Sequence, residues 1–152
     1  MLTPPLNPPI LATVRPDWVD NNGHMNMGFY LVVFDMACDT LWADLGLGAP
    51  FRARGFTTFA AETWVNYVRE LHAGQPLTST SEVLGHDAKR LLCRHYLFHA
   101  KEGWLAAENE VLYLCVDPAV RRVTPWPADK LALFAARAGG GTPKRLALGR
   151  RA

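Results

Sequence analysis

At 152 residues the chain is long enough for one domain with one hydrophobic core, and short for two of ordinary size. Its apolar fraction of 49% and charged fraction of 20% are those of a folded globular protein and exclude wholesale disorder. The formal net charge of +2 is too small for a nucleic-acid binder, and Lys144, Arg145, Arg150 and Arg151 supply part of it from the last nine residues.

Residues 1–9 hold four prolines and no basic residue, which predicts an extended arm and not a secretory signal. Ile10 to Val14 is a short strand candidate. Arg15 to Met25, dense in turn formers, reads as a loop. A helix is expected from Asn26 to Leu45, with Asn26 as its N-cap and Gly46 just past its end. Met27 to Phe34 is apolar almost all round, so the helix should be buried, with Asp35 and Asp39 as its only wet stripe.

From Phe56 the pattern becomes that of strands: Phe56–Leu71, Leu77–Leu84, Lys89–Ala100 and Leu105–Val116, joined by short turns. The first is long for one strand, which predicts a bend or bulge inside it. Pro127 sits near the start of a short helix over Ala128 to Arg137. Three glycines then open a basic tail, 138–152, expected to be mobile. The domain proper is expected to run over 10–137.

The three cysteines, Cys38, Cys93 and Cys115, are odd in number and set among apolar residues, which fits a reducing compartment better than a disulfide framework. No apolar run approaches the roughly 20 residues that span a bilayer. The expectation is a cytoplasmic protein. Strand, long apolar helix and antiparallel meander in that order imply an α+β fold, a curved sheet wrapped around the helix. Such a sheet keeps open edges, and pairing two copies would cover them.

The segment Val14–Leu31 reads V-R-P-D-W-V-D-N-N-G-H-M-N-M-G-F-Y-L. It resembles the signature of hotdog-fold thioesterases of the 4-hydroxybenzoyl-CoA thioesterase type, through Asp20, Gly23, His24, Asn26, Tyr30 and Leu31. Val65-Asn66-Tyr67-Val68-Arg69-Glu70-Leu71 with Gly74 is similar to the family's second strand and turn. The stretches FAAETWVNYVRELHAGQPL and GHDAKRL, with Arg121 and Arg122, also resemble the thioesterases of carnitine breakdown, including the domain fused to some carnitine dehydrogenases. The resemblance implies a hotdog fold, an acyl-CoA substrate such as betainyl-CoA, no cofactor besides the coenzyme A of the substrate, and a homo-oligomer.

Thioester hydrolysis needs a group that attacks or activates water and a group that holds the oxyanion. Asp20 suits the first role, as base or nucleophile, although an aspartate before a helix also serves simply to make the turn. Backbone N–H groups from Asn26 through Met27 to Gly28 suit the second, because a helix N-terminus leaves them unpaired. Gly23 and Gly28 would let a substrate approach the backbone. His24 either polarises the carbonyl, orients Asp20 or holds the loop; Asn26 either caps the helix or positions water.

Glu62, in an otherwise apolar strand segment, is a second candidate base, or else a paired or exposed carboxylate. By alternation it shares a strand face with Trp64 and Asn66, and all three would line the site if that face points to it. Lys89 and Arg90 are candidates for the CoA phosphates. Trp18 and Trp64 are candidates for holding a quaternary ammonium, against the commoner role of core packing. No metal-ligand spacing occurs: His95 and His99 share a strand face but stand roughly 13 Å apart along it. Two rival readings are a hydratase or dehydratase on the same fold and a non-catalytic acyl-CoA-binding domain.

Overall fold

The computed structural model describes residues 3–149; Met1, Leu2 and residues 150–152, with Arg150 and Arg151 of the expected tail, lie outside the described residues. Six strands, β1 (Ala12–Thr13), β2 (Thr57–Tyr67), β3 (Pro76–His86), β4 (Arg90–His99), β5 (Leu105–Asp117) and β6 (Arg122–Val123), form one sheet. Its order is β1-β3-β4-β5-β2, with β6 on β5. Three helices join it: α1 (Met27–Leu45), α2 (Ala49–Ala53) and α3 (Ala128–Arg137). The α1 and α3 expectations hold to within a residue. The first strand is shorter than expected, and α2 and β6 are additions. Among the described residues no helix is long and apolar enough to cross a membrane.

The chain divides into two compact units, and four of the strands and α1 contribute to both. The first holds residues up to Cys38, Val65–Ser81 and His95–Asn109. In its part of α1, Tyr30, Val33, Phe34 and Ala37 are buried at helical spacing, and the first three pack with Leu77, Leu97 and Ala107. The helix is not buried on every side, as its composition suggested. Met27 is 70% exposed, and Leu31 and Val32 about 40%. One stripe suffices to fill the core, so the apolar residues off that stripe stay at the surface of the chain.

The long β2 ends at Tyr67, and the expected irregularity follows at once. The N–H groups of Val68 and Arg69 both donate to the Ala106 carbonyl, at 2.9 and 3.0 Å. Two residues facing one define a β-bulge.

The second unit holds Asp39–Trp64, Glu82–Arg94 and the residues from Glu110 on. The fully buried Phe51 of α2 stacks on Phe56 and Trp126, and Trp126 meets Phe134 of α3 edge-on. Lys130 of α3 donates to the Leu45 carbonyl at 2.8 Å, satisfying the C-terminus of α1. The stretch expected to be a mobile tail is held over Thr142–Leu146. The buried Glu110 carboxylate accepts the N–H groups of Lys144, Arg145 and Leu146 and the Arg94 guanidinium. Arg94 also donates to the Thr142 carbonyl. Burial alone would push the Glu110 carboxyl up, but these donors outweigh it and hold it below its ordinary value.

His95 lies wholly inside the first unit, with Ser81 Oγ 2.7 Å from its Nδ1 and the Phe34 ring beside it. Burial pushes it down from 6.5 to about 4. The unfolded chain therefore takes up this proton from pH 6.5 downward and the folded chain only near 4. The stability carried by neutral His95 is complete above pH 6.5 and declines as the pH falls toward 4, by about 3 kcal/mol. Urea unfolding of wild type and His95→Gln between pH 7 and 4 should show the variant with the shallower decline; parallel curves would contradict this account.

Candidate active site

The residues before α1 form a miniature hairpin. Asp20 N–H donates to the His24 carbonyl and Gly23 N–H to the Asp20 carbonyl, both at 3.0 Å. Gly23 has φ +83°, the left-handed position that closes a three-residue hairpin loop and favours glycine. Val19 and Met25 bridge at the base of the loop. That base is anchored twice: Met25 N–H donates to the Leu71 carbonyl at 2.7 Å, and Asn26 N–H to the Trp18 carbonyl at 2.9 Å. Trp18 is itself buried and stacked on Phe29 at 5.6 Å.

Asp20 serves the turn with one oxygen: Oδ1 accepts the Asn22 N–H at 2.8 Å. Its side chain also lines a cavity of about 380 Å³ with His24, Asn26, Met27, Tyr30, Tyr67 and Glu70. Asn26 is the helix cap, its Oδ1 accepting the Gly28 N–H at 3.0 Å. Of the three N–H groups expected to hold an oxyanion, Asn26 is bonded to Trp18 and Gly28 to the cap. Met27 also lines the cavity, and its N–H has no acceptor among the described residues.

Six wall residues were not among the expected site residues: Met25, Tyr30, Tyr67, Val68, Arg69 and Glu70. Tyr30 and Tyr67 meet edge to face at 4.9 Å, and the Tyr67 hydroxyl donates to the Met27 carbonyl at 3.2 Å. Burial raises both phenols above their ordinary value. Glu70 lies 3.7 Å from His24 Nε2 and 3.5 Å from His72 Nε2, while His72 Nδ1 donates to the Gly23 carbonyl at 3.0 Å. Tyr30 carried a signal as part of the motif. Tyr67 and Glu70 belong to the second stretch that resembles the family, but strand alternation alone puts them on opposite faces, and the bulge at Val68 and Arg69 brings both to the cavity wall.

The other expected residues lie elsewhere. Glu62 is exposed on β2, which explains how a carboxylate is tolerated there. Trp64 of the same unit stands 6.0 Å from the Arg145 guanidinium. Asn66 donates to Glu108 at 3.2 Å, on the strand face opposite Tyr67. Lys89 and Arg90 border a different cavity, in the second unit, and Arg90 is engaged by Asp87 at 2.6 Å. No group of three metal-ligating side chains comes together among the described residues. Cys38, Cys93 and Cys115 are buried and form no disulfide, and burial pushes Cys115 up to about 11.

A carboxylate and an unsatisfied helix N–H on one cavity are the parts of a hydrolase acting at an acyl carbon. Residues 14–134 match the thioesterase-like superfamily, and the chain belongs to it: it is a hotdog-fold acyl-CoA thioesterase. It is 38% identical over 120 residues to a betainyl-CoA thioesterase of Pseudomonas aeruginosa, covering 78% of this chain and 76% of that one. It is 37% identical over 116 residues to an L-carnitine dehydrogenase/betainyl-CoA thioesterase of Agrobacterium fabrum, covering 76% of this chain but only 24% of that longer protein.

Among solved structures, a hypothetical protein from Staphylococcus aureus in complex with CoA superposes with a TM-score of 0.74 at 26% identity, covering 93% of this chain and 90% of that one. A putative thioesterase from Pseudomonas putida gives 0.72 at 30% identity, covering 93% and 92%.

Proposed function

We propose that this thioesterase hydrolyses betainyl-CoA, or a CoA thioester of equally small acyl group, at the cavity that carries Asp20. The observation that carries the reading is that Asp20 and Met27, whose N–H has no acceptor among the described residues, line the same cavity. The likeness to the Pseudomonas aeruginosa enzyme supports the acyl group.

In this reading Asp20 spends Oδ1 on the turn and keeps Oδ2 for chemistry. Oδ2 takes a proton from water as the water oxygen attacks the thioester carbon. The carbonyl oxygen becomes an oxyanion and accepts the Met27 N–H, at the positive end of α1. Collapse breaks the C–S bond and releases the free acid, and the departing CoA thiolate takes the proton back from Oδ2, leaving as the thiol with Asp20 again a carboxylate. A direct attack by Oδ2, forming an anhydride that water then opens, uses the same atoms. His24, across the hairpin from Asp20, fixes the loop and faces the substrate. The compartment is the cytoplasm, which suits three cysteines that form no disulfide.

The protein also self-associates in this reading. β2 is an 11-residue strand at one end of the sheet order, with Phe59 and Tyr67 about half exposed. A long apolar edge of this kind is a template for a second copy. Light scattering on the purified protein should give twice the chain mass or a multiple of it; a monomer at micromolar concentration would sink this part.

Free-thiol release from a panel of acyl-CoAs, with betainyl-CoA among them, tests the chemistry. Asp20→Asn should lower kcat by 100-fold or more. Met27→Pro removes the proposed oxyanion donor at the first helical position, where proline is tolerated. It should fold and lose about 100-fold in kcat. Full turnover by either variant would remove that residue from the mechanism.

A further inference from the structure

We infer that Glu70, with the rings of Tyr30 and Tyr67, reads a permanent positive charge on the acyl group and so sets which thioester this enzyme prefers. This rests on the substrate reading above and deepens it.

A trimethylammonium group has no N–H to donate. It is recognised by negative charge and by the faces of aromatic rings. In a betainyl thioester the quaternary nitrogen is two bonds from the carbonyl carbon. Whatever reads it must therefore line the cavity that holds Asp20. The aromatic residues on that wall are Tyr30 and Tyr67, and its carboxylates are Asp20 and Glu70. Asp20 is committed to the turn and to the chemistry, which leaves Glu70.

Its surroundings keep that charge available. The neighbours of Glu70 are His24 Nε2 at 3.7 Å and His72 Nε2 at 3.5 Å. Both are longer than a charge-assisted hydrogen bond of about 2.8 Å. Arg69, the one guanidinium on the wall, is stacked on Trp104 with its carbon 4.0 Å from the ring centroid. Its charge is drawn to that ring, so the open carboxylates dominate the cavity.

The test compares betainyl-CoA with 3,3-dimethylbutyryl-CoA, in which carbon replaces the quaternary nitrogen at the same shape. Wild type should prefer the cation in kcat/KM by 10-fold or more. Glu70→Gln should cut that preference at least 10-fold, mostly through KM. Glu70→Asp, which retains the charge, should recover a large part of it. Equal losses on both substrates would show that Glu70 only supports the loop and would overturn the inference, as would an undiminished preference in Glu70→Gln. A wild type that hydrolyses the neutral isostere and not betainyl-CoA would instead defeat the substrate reading itself, and this inference with it.

Discussion

Two backbone hydrogen bonds hold the site together: Met25 N–H to the Leu71 carbonyl and Asn26 N–H to the Trp18 carbonyl. They tie the base of the Asp20 hairpin to the segment beyond β2 on one side and to a buried tryptophan on the other. Both are made by the backbone immediately before α1, so they also set where the helix begins. The Asn26 side chain then takes the Gly28 N–H and leaves that of Met27 open. The capping that stabilises the helix is thus also the selection of one donor out of several. A site that must meet a small oxygen atom at a fixed place gains from being tied at the backbone, where rotamer freedom is absent.

The bulge at Val68 and Arg69 is the second determinant. A regular strand would send Tyr67, Arg69 and Leu71 to one face and Val68 and Glu70 to the other. With Val68 and Arg69 sharing the Ala106 carbonyl, consecutive residues from Tyr67 to Glu70 all border the cavity. Bulges beside active sites re-aim side chains in this way. Here the bulge brings a carboxylate to the wall and turns the neighbouring guanidinium onto Trp104.

The sequence was most legible where local chemistry decides the outcome. Asn26 as cap, Gly46 beyond α1 with φ +64° and the limits of α3 all follow from the conformational needs of single residues. The length of the Phe56–Leu71 segment announced a bulge, yet not its position, because that depends on pairing with β5. Hence alternation could group Glu62, Trp64 and Asn66 in the sequence, while nothing told which strand face met Asp20. The anchoring of residues 142–146 was illegible for a related reason. It depends on Glu110 from mid-sheet, and the loop sequence itself, rich in glycine and cations, reads as free chain.

Asp20 shows why the ordinary and the catalytic reading of one residue need not compete. A carboxylate has two oxygens, each with lone pairs to spend. Oδ1 is occupied by the Asn22 N–H, which fixes the side-chain rotamer as well as the turn. On this residue of the cavity wall, the second oxygen is thereby fixed relative to the turn at no further cost in side-chain entropy. An aspartate that only closed a turn would be as well placed pointing to bulk water. One that only did chemistry would have to be oriented by partners brought from elsewhere. In this hairpin the turn itself does the orienting, and Asp20 and His24, which both line the cavity, are the two residues whose backbones pair across it.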